Sequence, residues 1–257
     1  AGAYYVTVQD ANNCRLTDTL LISEPTELQA LSSAKQVTCF GQSDGAATVK
    51  VTAGTPPYSF EWNNGQTGST AINLSIGEYF VTVEDANNCQ TESSVLVTQP
   101  AEISISFLEQ PISCTGETDA ALLAQVEGGI APYDYHWSTL QTNQFTFGLG
   151  SDRYTITVTD QNGCQKQEGI NVNDPNPLVI SSSFTPTLCQ NQSNGTATVN
   201  VVGGTTPYTF LWNDSLAQTT QTATNLKATD YEVIVTDSFG CSITQLVQVE
   251  SASDIKI

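Results

Sequence analysis

The sequence predicts an all-β protein made of tandem antiparallel β-sandwich modules of about 75 residues each, arranged as an elongated array. Three observations carry this reading. The cysteines stand at 14, 39, 89, 114, 164, 189 and 241, so the gaps run 25, 50, 25, 50, 25 and 52, a period of 75 with two extra residues in the last copy. Aromatic residues recur at every second position in "YSFEW", "YDYHW" and "YTFLW", the period of a strand with one buried face. Gly, Pro and Asn break the chain into short pieces, and no stretch sustains a helical period.

The modules open at Pro25, Pro100 and Pro175, each eleven residues after a cysteine. Proline lacks an N–H and stiffens the chain, which suits a connector better than a central strand. The expected organisation is therefore 1–24 as the last part of a repeat, then repeats at 25–99, 100–174 and 175–251, with 252–257 as the start of a following module or a tail. The chain reads as cropped at both ends, opening mid-module with "AGAYYVTV" and closing on "SDIKI".

Counting from Cys39, Cys114 and Cys189, the residues Trp62, Trp137 and Trp212 fall 23 positions later, and Tyr58, Tyr133 and Tyr208 also align. Tyr79, Tyr154 and Tyr231 fall ten before the second cysteine of each repeat. These nine aromatic side chains are the expected core. The stretch from Val83 to Gln90, "VEDANNCQ", recurs in variants around Asp10, Asp160 and Asp237. The residue before each cysteine is Asn13, Asn88, Gly163 or Gly240, the two types that best tolerate a left-handed backbone. The aspartates are expected to cap the turn amides. Calcium is the alternative, with Asp85, Asn87, Asp160, Asn162 and Asp174 as candidate oxygen ligands.

Composition removes several function classes. Seven Lys plus Arg against 26 Asp plus Glu give a net charge of −19, which repels the phosphates of nucleic acid and of anionic membranes. No apolar run is long enough to cross a bilayer. The one histidine, His136, lies between Tyr135 and Trp137 and so faces away from the core, and no nucleophile elbow, phosphate loop or zinc motif is present. The chain is read as non-enzymatic, with no resident cofactor.

Here the residues carry a resemblance. "CFGQSDGAATVKVTAGTPPYSFEW" followed by "LSIGEYFVTVEDANNC" resembles the SprB-type repeat of very large surface adhesins of gliding Bacteroidota, and more distantly PKD and other immunoglobulin-like modules. The resemblance implies an extracellular, outer-membrane-associated protein exported by the type 9 system. Its role would be a stalk segment that spaces and bears tension in adhesion or gliding motility. Partners would be neighbouring repeats of the same chain and surface polysaccharide or substratum. The alternatives are a carbohydrate-binding or enzyme-accessory array and a self-assembling surface filament. "DTL" at Thr19 and "DSL" at Ser215 resemble the O-glycosylation acceptors of the same bacteria.

In an immunoglobulin-like sandwich whose first strand begins at the pole where the last hairpin turns, the two cysteines of one repeat can meet. The expected disulfides are thus Cys39 with Cys89, Cys114 with Cys164 and Cys189 with Cys241, leaving Cys14 unpaired. The rival pairing, 25 residues apart across a joint, would have to span roughly 30 Å, where a disulfide needs Cα atoms within about 7 Å. Closing a loop of about 50 residues is worth roughly 4 kcal/mol, comparable to the stability of so small a module.

Overall fold

The computed structural model describes residues 1–189 and 191–252; the rest of the expected tail, from Ser253 on, lies outside the described residues. The chain forms two compact units. The first comprises Ala1–Ile103, Gly128–Pro132 and Asp160–Cys164, and the second comprises Ser104–Glu127, Tyr133–Thr159 and the chain from Gln165 onward. Every regular element among the described residues is a β-strand, and every strand pairing is antiparallel.

In the first unit, β1 (Gly2–Gln9) and β2 (Arg15–Ile22) form a two-stranded hairpin. Then come β3 (Gln29–Lys35), β4 (Gly45–Ala53), β5 (Ser59–Trp62), β6 (Thr70–Leu74), β7 (Gly77–Glu84) and β8 (Gln90–Val97). They make two three-stranded sheets, β3-β4-β6 and β5-β7-β8. Alternation along each strand decides what lies between them. Ala47 and Val49 of β4, Ala71 and Leu74 of β6, Val81 and Val83 of β7 and Val97 of β8 close around Trp62, and the intervening residues face outward.

The second unit repeats this plan twice. β9 (Ser104–Gln110), β10 (Ala120–Glu127), β11 (Asp134–Trp137), β12 (Phe145–Leu149), β13 (Asp152–Thr159) and β14 (Gln165–Val172) give sheets β12-β10-β9 and β11-β13-β14. β15 (Val179–Thr185), β16 (Gly195–Val202), β17 (Thr209–Trp212), β18 (Thr222–Leu226), β19 (Asp230–Thr236) and β20 (Ser242–Gln248) give β15-β16-β18 and β17-β19-β20. Trp137 and Trp212 are buried as Trp62 is, and each indole Nε1–H donates to a loop carbonyl: Gly68 at 3.0 Å, Asn143 at 2.9 Å and Thr220 at 2.9 Å.

The aligned tyrosines differ from the expected core. Tyr231 is buried, but Tyr58, Tyr79, Tyr133, Tyr154 and Tyr208 are half-buried. A phenol brings a hydroxyl that needs a partner, so the ring lies at the margin with its tip on a loop. Tyr79 donates to the Ser75 carbonyl at 3.2 Å, Tyr154 to Gly150 at 3.1 Å and Tyr208 to Gly203 at 2.5 Å.

Strand direction fixes where each cysteine of a repeat stands. In the β3–β4 ladder Gln29 pairs with Ala53 at one end and Lys35 with Ala46 at the other. Cys39 follows Lys35, so it belongs to the second end, where the Val37 N–H also donates to the Thr98 carbonyl just past β8. Cys89 closes the β7–β8 turn at the first end, beside the β4–β5 loop, where the Ala86 N–H donates to the Thr55 carbonyl. A strand of seven residues separates the two ends, roughly 25 Å.

Candidate functional site: the stapled joints

Each β-hairpin turn before a second cysteine is built on one aspartate. Asp160 Oδ1 accepts the N–H groups of Asn162 (2.9 Å) and Cys164 (2.9 Å), and Oδ2 accepts that of Ile130 (2.9 Å). Asp85 does the same with Asn87 (2.8 Å), Cys89 (3.0 Å) and Thr55 (3.1 Å), and Asp237 with Phe239 (2.9 Å), Cys241 (3.0 Å) and Thr205 (2.9 Å). Asp10 caps Asn12 and Cys14 in the first hairpin. The residue before each cysteine takes a positive φ: 68° at Asn13, 59° at Asn88, 82° at Gly163 and 89° at Gly240. In the second and third repeats the aspartate comes so close to the residue before its third amide that only glycine fits: a Cβ on Gly204 would meet Asp237 Oδ2 at 2.9 Å. A Cβ on Gly129 would meet Asp160 Oδ2 at 3.0 Å and Ile103 Cγ1 at 2.8 Å. We call this unit the clasp.

The loop holding each first cysteine has its own cap five residues on. Asp44 accepts the Thr38 N–H at 2.9 Å and also its hydroxyl, Asp119 accepts the Ser113 N–H at 3.0 Å, and Asn194 accepts the Leu188 N–H at 3.1 Å. The Thr38 hydroxyl and N–H hold the Asp44 carboxyl below its ordinary range, and Ser113 does the same for Asp119. The connector braces the loop in turn: Gln99 Oε1 accepts the Gly41 N–H at 2.9 Å, and Asp174 Oδ1 accepts that of Gly116 at 2.9 Å.

Loop and clasp meet across the joint, one repeat to the next. Cys39 is bonded to Cys164 within the first unit, and Cys114 to Cys241 within the second, each with Cα atoms 5.6 Å apart. The expected pairs Cys39–Cys89, Cys114–Cys164 and Cys189–Cys241 are therefore corrected. Cys39 stands after the first strand of its repeat, not before it, so a full strand length keeps it from Cys89. The short connector through Pro100 instead brings the opening pole of the following repeat to it. Cys14, Cys89 and Cys189 are free and exposed. In the first joint the Asn162 side chain adds a second contact, its Nδ2 donating to the Thr38 carbonyl at 3.0 Å.

Of the calcium candidates, the three carboxylates accept from backbone amides: Asp85 and Asp160 are buried and hold the turn, and Asp174 accepts from Gly116. Asn87 and Asn162 use Nδ2 as a donor, to Thr55 Oγ1 and to the Thr38 carbonyl, each at 3.0 Å. Among the described residues no group of three or more His, Cys, Asp or Glu is placed to hold a metal ion. Thr19 lies exposed on β2 and Ser215 exposed in the turn after Trp212, so both acceptor candidates are at the surface. His136 is exposed on β11.

The carboxyls of Asp85 and Asp237 have lowered pKa values. Burial opposes the charge, but the amides of Cys89, Thr55 and Asn87, and those of Thr205, Cys241 and Phe239, together outweigh it. A group with a folded pKa below its unfolded value of about 3.9 contributes fully above that value. The contribution fades as pH falls below about 4, where the unfolded chain takes up protons first. Thermal unfolding is therefore expected to give a midpoint insensitive to these groups from pH 5 to 8 and falling below about 4. Asp237→Asn is expected to reduce the acid-side slope; an unchanged slope refutes the assignment.

The SprB repeat family matches residues 31–67, 110–142 and 181–217, which are the stretches running from the first strand through the loop cysteine to just beyond each tryptophan. Each of the three repeats thus holds one stretch that matches the SprB repeat. No curated protein matches it. Among solved structures, the N-terminal eight Ig domains of Down Syndrome Cell Adhesion Molecule isoform 1.30.30 align with 98% of this chain and 40% of that one, at 12% identity and a TM-score of 0.39. The chain thus spans less than half the length of that structure. The N-terminal four Ig domains of Dscam1 isoform 7.44 align with 90% of this chain and 74% of that one, at 11% identity and a TM-score of 0.28. Dpr2 Ig1-Ig2 in complex with DIP-Theta Ig1-Ig3 gives 88% and 98%, at 7% identity and a TM-score of 0.29. Among the described residues, no helix is long and apolar enough to cross a membrane.

The clasp aspartates and the left-handed positions were readable from the sequence. The loop caps Asp44, Asp119 and Asn194 carry a fainter sequence signal, their fixed distance of five from the cysteine.

Proposed function

We propose that this chain is a non-catalytic, load-bearing segment of a large extracellular adhesin, spacing and transmitting tension during surface adhesion or gliding. SprB repeats are modules of cell-surface adhesins, and disulfides are a feature of oxidising, extracellular surroundings. The observation that carries the reading is the doubled covalent connection at each joint. The peptide through Pro100 is paralleled by Cys39–Cys164, and the peptide through Pro175 by Cys114–Cys241. Two stapled loops that overlap leave a pulled chain little slack. The shortest covalent route from Ala1 to Ile257 passes through both bridges and about 104 residues, so roughly 150 residues, on the order of 500 Å of extended chain, stay off the load path.

Single-molecule pulling from the termini tests this. The oxidised chain is expected to reach a contour length roughly 500 Å shorter than the reduced one. Cells whose adhesin carries Cys39→Ser and Cys114→Ser are expected to attach normally at rest but detach at lower shear. Equal contour lengths, or unchanged detachment, would sink the load-bearing role.

A further inference from the structure

Two joints show the staple closed, and they show what an open half looks like. In both, the cysteine of a loop is bonded to the cysteine of a clasp, never loop to loop or clasp to clasp. The bonded cysteines are half-buried, whereas Cys14, Cys89 and Cys189 are exposed. Cys189 occupies the loop position, and Cys14 and Cys89 occupy clasp positions.

The free halves already have the shape of the bonded ones. In the Cys89 clasp, Asp85 holds the same three amides as Asp160, and the Asp85 N–H donates to the Cys89 carbonyl at 3.0 Å, as Asp160 does to Cys164 at 3.0 Å. In the Cys189 loop, the Leu188 N–H is capped and the Gln192 N–H donates to the Cys189 carbonyl at 3.2 Å, matching Gln42 and Cys39 at 3.2 Å. A second group points to the same partner. Asn162 donates its amide across the joint to the Thr38 carbonyl, and its counterpart Asn87 is turned back onto its own Thr55. The Leu188 carbonyl is the counterpart of the Thr38 acceptor, beside a side chain that is 74% exposed.

We propose that Cys189 is a covalent docking site for the Asp-to-Cys clasp of another SprB repeat, and that Cys14 and Cys89 are clasps that take the loop cysteine of another SprB repeat. The inference does not depend on the load-bearing reading. The chemistry needs a small-molecule disulfide as oxidant. The Cys189 thiolate attacks one of its sulfurs and releases one thiol. The clasp thiolate of the partner then attacks the protein sulfur of the mixed disulfide and releases the second thiol. Two protein thiols thereby lose two electrons and two protons to one small disulfide, which becomes two thiols.

A second copy of this chain supplies both halves for a test. The chain is held at high concentration in a glutathione redox buffer at about 0.15 M salt, where the Debye length of about 8 Å limits repulsion between molecules of net charge −19. Intermolecular links are mapped by non-reducing digestion and mass spectrometry. Links from Cys189 to Cys89 or Cys14 are expected to dominate. Asn87→Ala is expected to lower the Cys89 share about fivefold, the worth of one hydrogen bond, and leave the Cys14 share unchanged. Cys189→Ser, at an exposed position, is expected to abolish loop-to-clasp links while both internal bridges form. Random collision among these three thiols yields clasp-to-clasp links as often as loop-to-clasp links. That result, or no intermolecular link while both internal bridges are intact, overturns the proposal.

Discussion

Opening the bridges with a thiol reductant is expected to destabilise the folded chain by about 5 kcal/mol for each bridge, the largest effect any single chemical change should have here. The bonded cysteines are 125 and 127 residues apart, and loop-closure entropy lost by the unfolded chain grows with the logarithm of that separation. A bridge within one repeat, closing about 50 residues, would be worth roughly 4 kcal/mol. The size of the term hardly distinguishes the two connectivities; what it acts on does. A bridge inside a repeat stabilises that repeat alone, whereas Cys39–Cys164 and Cys114–Cys241 tie the unfolding of each repeat to that of its neighbour. Each repeat holds one buried tryptophan, so fluorescence can follow each separately once the other two are replaced by phenylalanine. In urea the reduced chain is expected to lose cooperativity between repeats and to unfold at a midpoint about 2 M lower. Cys39→Ser with Cys114→Ser should reproduce the shift without reductant. An unshifted midpoint, with mass spectrometry showing both bridges open, would mean the bridges do not contribute to stability.

The sandwich was legible because its signals are local. Period-two alternation in YSFEW, YDYHW and YTFLW turns the aligned tryptophans inward, and Trp62, Trp137 and Trp212 are all buried. The clasp was legible for the same reason, since Asp85 and Asn88 act on atoms within four residues of themselves. The tyrosines were half legible: alternation gives the direction of the ring but not the carbonyl that draws Tyr79 or Tyr154 to the margin. Cysteine pairing was not legible from spacing. In an exact repeat, joining a loop cysteine to the clasp of its own repeat or to that of the next one generates the same 75-residue period. Only the pole at which each cysteine stands separates the choices, and that depends on Cys39 following β3 by a few residues instead of preceding it. The expected first-strand geometry put it on the wrong side of one strand, and every pairing moved with it.

Removing a clasp carboxylate gives the next largest expected effect. Asp160→Ala leaves the N–H groups of Ile130, Asn162 and Cys164 without their charged acceptor in a site that is 4% exposed. Leaving buried donors unsatisfied costs about 1–3 kcal/mol each, and water reaching the emptied turn recovers part of it, so a net loss of about 3 kcal/mol is expected. Asp160→Asn keeps an acceptor oxygen and should cost less. The more telling consequence concerns chemistry. Cys164 reaches Cys39 only while the turn holds its backbone in place, and Asp160 lies next to that bond but far along the chain from Cys114–Cys241. When reduced Asp160→Ala is reoxidised in a glutathione buffer, Cys39–Cys164 should form in a smaller fraction of molecules, while Cys114–Cys241 in the same molecules serves as the internal standard. Equal loss of both bridges would point to general unfolding. No loss of either would show that the clasp aspartate shapes a turn the disulfide does not need.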